Sequence, residues 1–311
     1  MPRITHETIT LSPDADEINW RRRPLSPLDI HTTTIHTDYD ESETGLDEQS
    51  HTILQMGMGN EGARVRQITA EQLGARGVRG ITILDATPYR KVKPDEESLT
   101  SLAAYVVDSV ATHIKEQYEV DTLHAIGESQ GSVAVLESMR RPDSPLNGRL
   151  GLIHPLGLTP EVLTVPRFFG RMLQSALQND IELAGMLVGI HATQRGLGDL
   201  FLTGGRQITS AANYDGTAAL REILGSHDVA VFAGEDDRLF PPDEIERHLT
   251  RVGIYDHKYE IGEGPHAALA SKVGADMGSR ACFFVRSGLL LSQETSASPQ
   301  LQFSRVIPPL I

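Results

Sequence analysis

The chain has 311 residues, of which 39% are hydrophobic and 23% charged, and a formal net charge of −14. That composition belongs to a globular protein and not to a disordered one, and the acidic balance argues against nucleic acid or an anionic membrane as the main partner. A single cysteine, Cys282, excludes an internal disulfide, and no run approaches the 18 apolar residues of a membrane span.

Cys282 stands in an apolar run and reads as a buried, inert thiol. The first residues, MPRITHETIT, hold no apolar core of a secretory signal, so a soluble, cytoplasmic protein is expected. The one basic cluster, Arg21-Arg22-Arg23, is short and reads as a solvated loop.

Ile4 to Leu11 and Leu28 to Ile35 are candidate strands, with Pro13, Pro24 and Pro27 punctuating the stretch between them. His31 and His36 lie five apart, on opposite faces of a strand, and make poor joint metal ligands. The run Asp38 to Glu48 carries six carboxylates and Gly45 and reads as an exposed loop.

From Thr52 a regular alternation begins. Ile53 to Met56 is a strand, and Gly57-Met58-Gly59-Asn60 a loop. Val65, Ile68 and Leu73 share a helical face that ends near Gly74 and Gly77. Ile81 to Leu84 is a strand of the buried parallel type. Leu99, Leu102, Val106, Val110 and Ile114 then recur with helical period. Leu123 to Ile126 is the next strand, and Val133, Leu136 and Met139 mark a short helix after it. A further strand, Leu150 to Ile153, ends in His154-Pro155-Leu156-Gly157.

Residues 158–222 break the alternation. Amphipathic helical segments there predict an insertion at the carboxyl edge of the sheet, in the position of a lid or as extra packing helices with no gating role. Alternation resumes with the strand Val229 to Ala233, a helix opened by Pro241-Pro242-Asp243, a strand from Tyr255 to Ile261, and a last helix marked by Leu269, Val273 and Met277. Residues 291–311 are polar, with Pro299, Pro308 and Pro309, and read as a surface tail. The expectation is one α/β domain over 1–311: a mostly parallel, twisted sheet with helices on both faces and a helical lid at 158–222.

Three motifs carry chemistry. Gly127-Glu128-Ser129-Gln130-Gly131 is G-x-S-x-G between a strand and a helix. A sharp turn at Ser129 would project its hydroxyl clear of the sheet, and the small neighbours leave room for that turn. The turn places the amide of Gln130 at a helix start, where developing negative charge is stabilised. Gly234-Glu235-Asp236-Asp237-Arg238-Leu239-Phe240-Pro241 follows a later strand, and Gly262-Glu263-Gly264-Pro265-His266 follows the last one. In open parallel sheets ligands bind beyond the carboxyl ends of strands, and all three motifs lie there.

Over about residues 50–290 the chain resembles the α/β-hydrolase superfamily, on GESQG, GEDDRLFPP and GEGPHAAL in that order. The resemblance implies a triad of Ser129, Asp237 and His266, with Asp237 matching G-x-x-D before Pro241 and Asp236 as runner-up. It implies backbone oxyanion donors at Met58 and Gln130, although Met56 stands where the family often has histidine. Glu128 is expected to face solvent or the lid. His154, beside a proline turn, and His257, inside a strand, read as structural.

The implied activity is hydrolysis of a carboxylic ester or thioester of a small apolar substrate through an acyl-enzyme, with Phe168, Phe169 and Met172 as substrate contacts. Acyl transfer, amide cleavage or C–C hydrolysis with the same triad remain open, as does a non-catalytic ligand binder of the same fold. No cofactor or metal is implied, and no H-e-x-x-H motif occurs. GMGNEG formally matches a dinucleotide fingerprint, with Asp85 near the place of its ribose-binding acid; the later motifs make the oxyanion reading of that loop more economical. Oligomeric state is open.

Overall fold

A computed structural model describes residues 2–11, 27–36, 50–57, 62–85, 96–158, 171, 214–254, 258–264 and 269–291. Eight strands form one sheet: β1 (Ile4–Leu11), β2 (Leu28–Ile35), β3 (Ser50–Gln55), β4 (Ile81–Leu84), β5 (Thr122–Glu128), β6 (Leu150–Ile153), β7 (Val229–Gly234) and β8 (Lys258–Gly262). Their order across the sheet is β1-β2-β4-β3-β5-β6-β7-β8. β1 and β2 pair antiparallel, and β2 runs antiparallel to β4; every pairing from β4 to β8 is parallel.

Six helices are described: α1 (Ala63–Ala75), α2 (Glu96–Tyr118), α3 (Gly131–Met139), α4 (Gly216–Ile223), α5 (Pro242–Arg251) and α6 (Lys272–Ser287). The run of Asp38 to Glu48, Arg21 to Arg23, His257 and the 291–311 tail except its first residue lie outside the described residues. So does most of the 158–222 stretch. Its last residues form α4, whose Ala219, Leu220 and Ile223 are in the core.

The two-residue period of the strands builds two cores. Ile53, Leu84, Ala125 and Val231 face α2, α3, α4 and α5 on one side. Leu54, Ile83, Ile126 and Phe232 face α1 and α6 on the other. Successive side chains on a strand point to opposite faces, so a strand covered on both sides is apolar throughout. Cys282 lies in the second core, and burial pushes its thiol up to about 12.

The helix after β5 is held from two sides. Asp108 of α2 accepts from Ser138 Oγ (2.5 Å) and from Arg141 (2.7 Å), although burial raises its pKa. Arg140 at the end of α3 binds Glu222 of α4 through two nitrogens, at 2.8 and 3.0 Å. Tyr214 donates to Glu137 of α3 at 3.1 Å. The start of α3 is therefore fixed relative to the sheet by packing and by charge-assisted bonds at its other end.

The opposite, amino end of the sheet carries a buried imidazole. His51 of β3 stacks on Tyr118 with ring centroids 5.2 Å apart and bonds Thr82 Oγ1 at 2.9 Å. Burial, with Arg286, His36 and His124 nearby, lowers its pKa to about 3. Unfolding returns it to the usual value near 6.5, so the unfolded chain binds the extra proton first as pH falls. His51 thus costs no stability above about pH 6.5 and destabilises the fold progressively from there towards pH 3, by at most about 1.4 kcal/mol per pH unit. Urea melts at pH 7, 6, 5 and 4 should show a shallower loss of stability in His51→Gln than in the wild type.

Candidate active site

The site is built where β5 meets α3. Ser129 has φ 50°, in the left-handed region that a residue with a side chain seldom occupies. The turn is fixed by its backbone: Ser129 N donates to Ile153 O of β6 at 2.8 Å, and Ser129 O accepts from Ser132 N at 3.1 Å and from Leu156 N at 3.3 Å. Ser132 Oγ donates to Gly127 O at 3.0 Å.

The glycines are steric requirements. A Cβ on Gly127 would stand 2.6 Å from both Ser132 Cα and Val135 Cγ2, and one on Gly131 would collide with the carbonyl of Gln55. Gly57, just beyond β3, is equally tight, because a Cβ there would lie 2.8 Å from Ser129 Cβ. The turn is so compact because three chain segments meet within van der Waals distance. Gln130 caps α3 in αR geometry without a side-chain cap bond, so the positive end of the helix dipole lies at the serine turn.

Glu128 does not face solvent, one of the two surroundings expected for it beside Ser129. It is 2% exposed, and its Oε2 accepts from Gly57 N at 2.9 Å. A buried carboxylate needs donors, and the amide of the loop after β3 supplies one. The bond ties that loop to the serine turn and occupies Gly57 N–H. Gln55 adds a second tie, its Nε2 donating to Met56 O at 3.2 Å and to Asp85 O at 2.6 Å.

Asp237 follows β7 and is 2% exposed, whereas neighbouring Asp236 is exposed. Its Oδ1 accepts from Leu239 N and Phe240 N, each at 2.9 Å. Its Oδ2 meets His154 Nδ1 at 2.7 Å, with both side chains fully buried. The loop is also bonded to the end of β8, through Glu235 N to Gly262 O (2.9 Å) and Asp236 N to Gly264 O (3.1 Å). Next to it, Arg171 reaches Leu239 O at 3.4 Å and Glu244 at 3.2 Å.

Three of the residues named from the sequence, Ser129, Gln130 and Asp237, are thus described, on the ends of β5 and β7 with β6 between them. Met58, His266, Phe168, Phe169 and Met172 lie outside the described residues. His154, read as structural, is fully buried and bonds Asp237. Its only sequence signal was its place immediately after a strand end.

Asp85, the acid that a dinucleotide site would need, forms an ion pair with Arg66 and accepts from Gly62 N at 3.2 Å. It serves the loop into α1. Among the described residues, no group of three or more His, Cys, Asp or Glu could hold a metal ion, and no helix is long and apolar enough to cross a membrane.

Removing the Glu128 anchor tests its place in the site. Glu128→Ala should leave Gly57 N–H buried without its acceptor and cost about 1–3 kcal/mol in urea denaturation. Glu128→Gln keeps an acceptor oxygen and should lose clearly less.

No protein-family model matches the sequence, and no curated protein matches it. Solved structures do match. A serine hydrolase from the polyaromatic hydrocarbon-degrading bacterium Cycloclasticus zankles is 15% identical, with 90% of this chain and 98% of that one covered and a TM-score of 0.54. An esterase from Pyrobaculum calidifontis is 15% identical over 92% and 87% of the two chains, with a TM-score of 0.52. A bromoperoxidase from Bacillus anthracis is 13% identical over 90% and 99%, with a TM-score of 0.51. Identities this low speak to architecture. With the strand order, the turn at Ser129 and the acid after β7, they show that this chain has the α/β-hydrolase fold.

Proposed function

We propose that the protein is a serine hydrolase that cleaves a carboxylic ester or thioester of a small apolar molecule, in the cytoplasm and without a cofactor. The observation that carries this reading is the left-handed Ser129 at the mouth of α3, because such strain persists where the surroundings enforce it and clusters at functional sites. The buried, doubly capped Asp237 two strands away supports it. So does the appearance of a serine hydrolase and an esterase among proteins of similar architecture.

In this reading His266, which follows β8 in the chain, takes the proton of Ser129 Oγ as the oxygen attacks the carbonyl carbon. Asp237 accepts from the His266 ring and stabilises the imidazolium. The tetrahedral oxyanion accepts from the amides of Gln130 and Met58, with Gly57 N–H excluded because Glu128 already holds it. His266 then protonates the departing alcohol or thiol, which leaves an acyl group on Ser129. The same imidazole next deprotonates a water, whose attack releases the acid and restores the serine. Phe168, Phe169 and Met172, in a helical lid over 158–222, would hold the apolar part of the substrate.

A fluorophosphonate probe should label the wild type, and Ser129→Ala should remain unlabelled. On p-nitrophenyl esters of increasing acyl length the same variant should lose on the order of 10⁶-fold in kcat, and Asp237→Asn about 10⁴-fold. A folded wild type that neither labels nor hydrolyses any ester of the series would leave a ligand-binding protein as the better reading.

A further inference from the structure

His154 lies between the two parts of the site. β6 is flanked by β5 and β7, so the residue that follows β6 has the serine turn on one side and the acid loop on the other. Its surroundings are bonded to both: Ser129 N to Ile153 O at 2.8 Å, His154 N to Phe232 O at 2.8 Å, and Leu156 N to Ser129 O at 3.3 Å. His154 has φ 47°, a second left-handed residue beside that of Ser129. A conformation of that kind costs about 1–3 kcal/mol and is kept where neighbouring structure over-determines it. Here the chain turns so that the imidazole enters the protein, where its side chain is fully buried against Asp237.

From this geometry we infer that His154 is a positioning residue for the acid, donating its Nδ1–H to Asp237 Oδ2 and so fixing the plane of the carboxylate. The inference rests on the hydrolase reading above. Asp237 Oδ1 already takes two backbone N–H groups, so the carboxylate is an acceptor and the imidazole is the donor. Two bonds to one oxygen hold that oxygen, yet leave the group able to swing about it. A third bond on the other oxygen removes that freedom. These bonds place two donors on Oδ1 and one on Oδ2, which fixes how the plane of the carboxylate is turned towards the base. Both groups are buried, so bulk water does not reach the site to replace a lost donor.

The test compares His154→Ala with His154→Asn. Asparagine tolerates the left-handed backbone and carries an N–H donor close to the place of Nδ1. His154→Ala should lower kcat on p-nitrophenyl esters on the order of 10²-fold with KM little changed, because a freed carboxylate misplaces the base. His154→Asn should recover most of that loss. Proton NMR of the wild type with ¹⁵N-labelled histidine should show a downfield ring N–H that disappears in both His154→Asn and Asp237→Asn. That resonance also decides the case in which His154→Ala fails to fold, since its absence would remove the bond itself. A folded His154→Ala with wild-type kcat would overturn the positioning role and leave the hydrolase reading intact. Loss of activity in both His154 variants while His266→Ala stays active would overturn it in another way, by making His154 the base. A wild type inert to fluorophosphonate and to every ester would end the hydrolase reading and this role with it.

Discussion

The left-handed backbone of Ser129 is the constraint around which the carboxyl end of the sheet is arranged. A residue with a side chain adopts φ near 50° at a cost of about 1–2 kcal/mol, so the neighbouring structure has to hold it there. Three segments do so at very short range. The end of β3 leaves no space for a side chain at Gly131, α3 leaves none at Gly127, and the serine turn leaves none at Gly57. β6 adds the bond from Ser129 N to Ile153 O. The far end of α3 is tied to α2 through Asp108 and to α4 through Glu222, so the helix cannot shift to relieve the turn.

Two buried carboxylates flank that turn, and each is stabilised in its own way. Glu128 accepts from the backbone of the loop after β3. Asp237 accepts from two amides of its own loop and from the His154 ring. Burying a charge is costly unless donors meet it, so each carboxylate holds in place the segments that supply its donors. Glu128 couples the serine turn to β3, and Asp237 couples β6 to β7. These two carboxylates therefore join neighbouring strands at this rim.

The element order was legible locally. Runs such as Ile81 to Leu84 and the spacing of Leu102, Val106 and Val110 carry the strand and helix periods, which depend only on backbone geometry. The antiparallel placement of β2 against β4 carries no such mark, because which strands pair is decided by how whole layers pack. Boundaries moved as well: β3 begins at Ser50, where polar Ser50, His51 and Thr52 are covered by tertiary neighbours, and α2 extends to Tyr118.

The sequence by itself determined the turn at Ser129, since G-x-S-x-G between a strand and a helix states a steric requirement within five residues. The resemblance to the hydrolase pattern pointed to Asp237 ahead of Asp236; in the structure Asp237 is buried and Asp236 exposed. Only the tertiary structure decided the roles of Glu128 and His154. Glu128 takes its partner from a loop 71 residues earlier and His154 from one 83 residues later. Such bonds arise from the order in which β3, β5, β6 and β7 lie side by side, and hydrogen bonding between distant segments leaves no period in the chain for a reader to find.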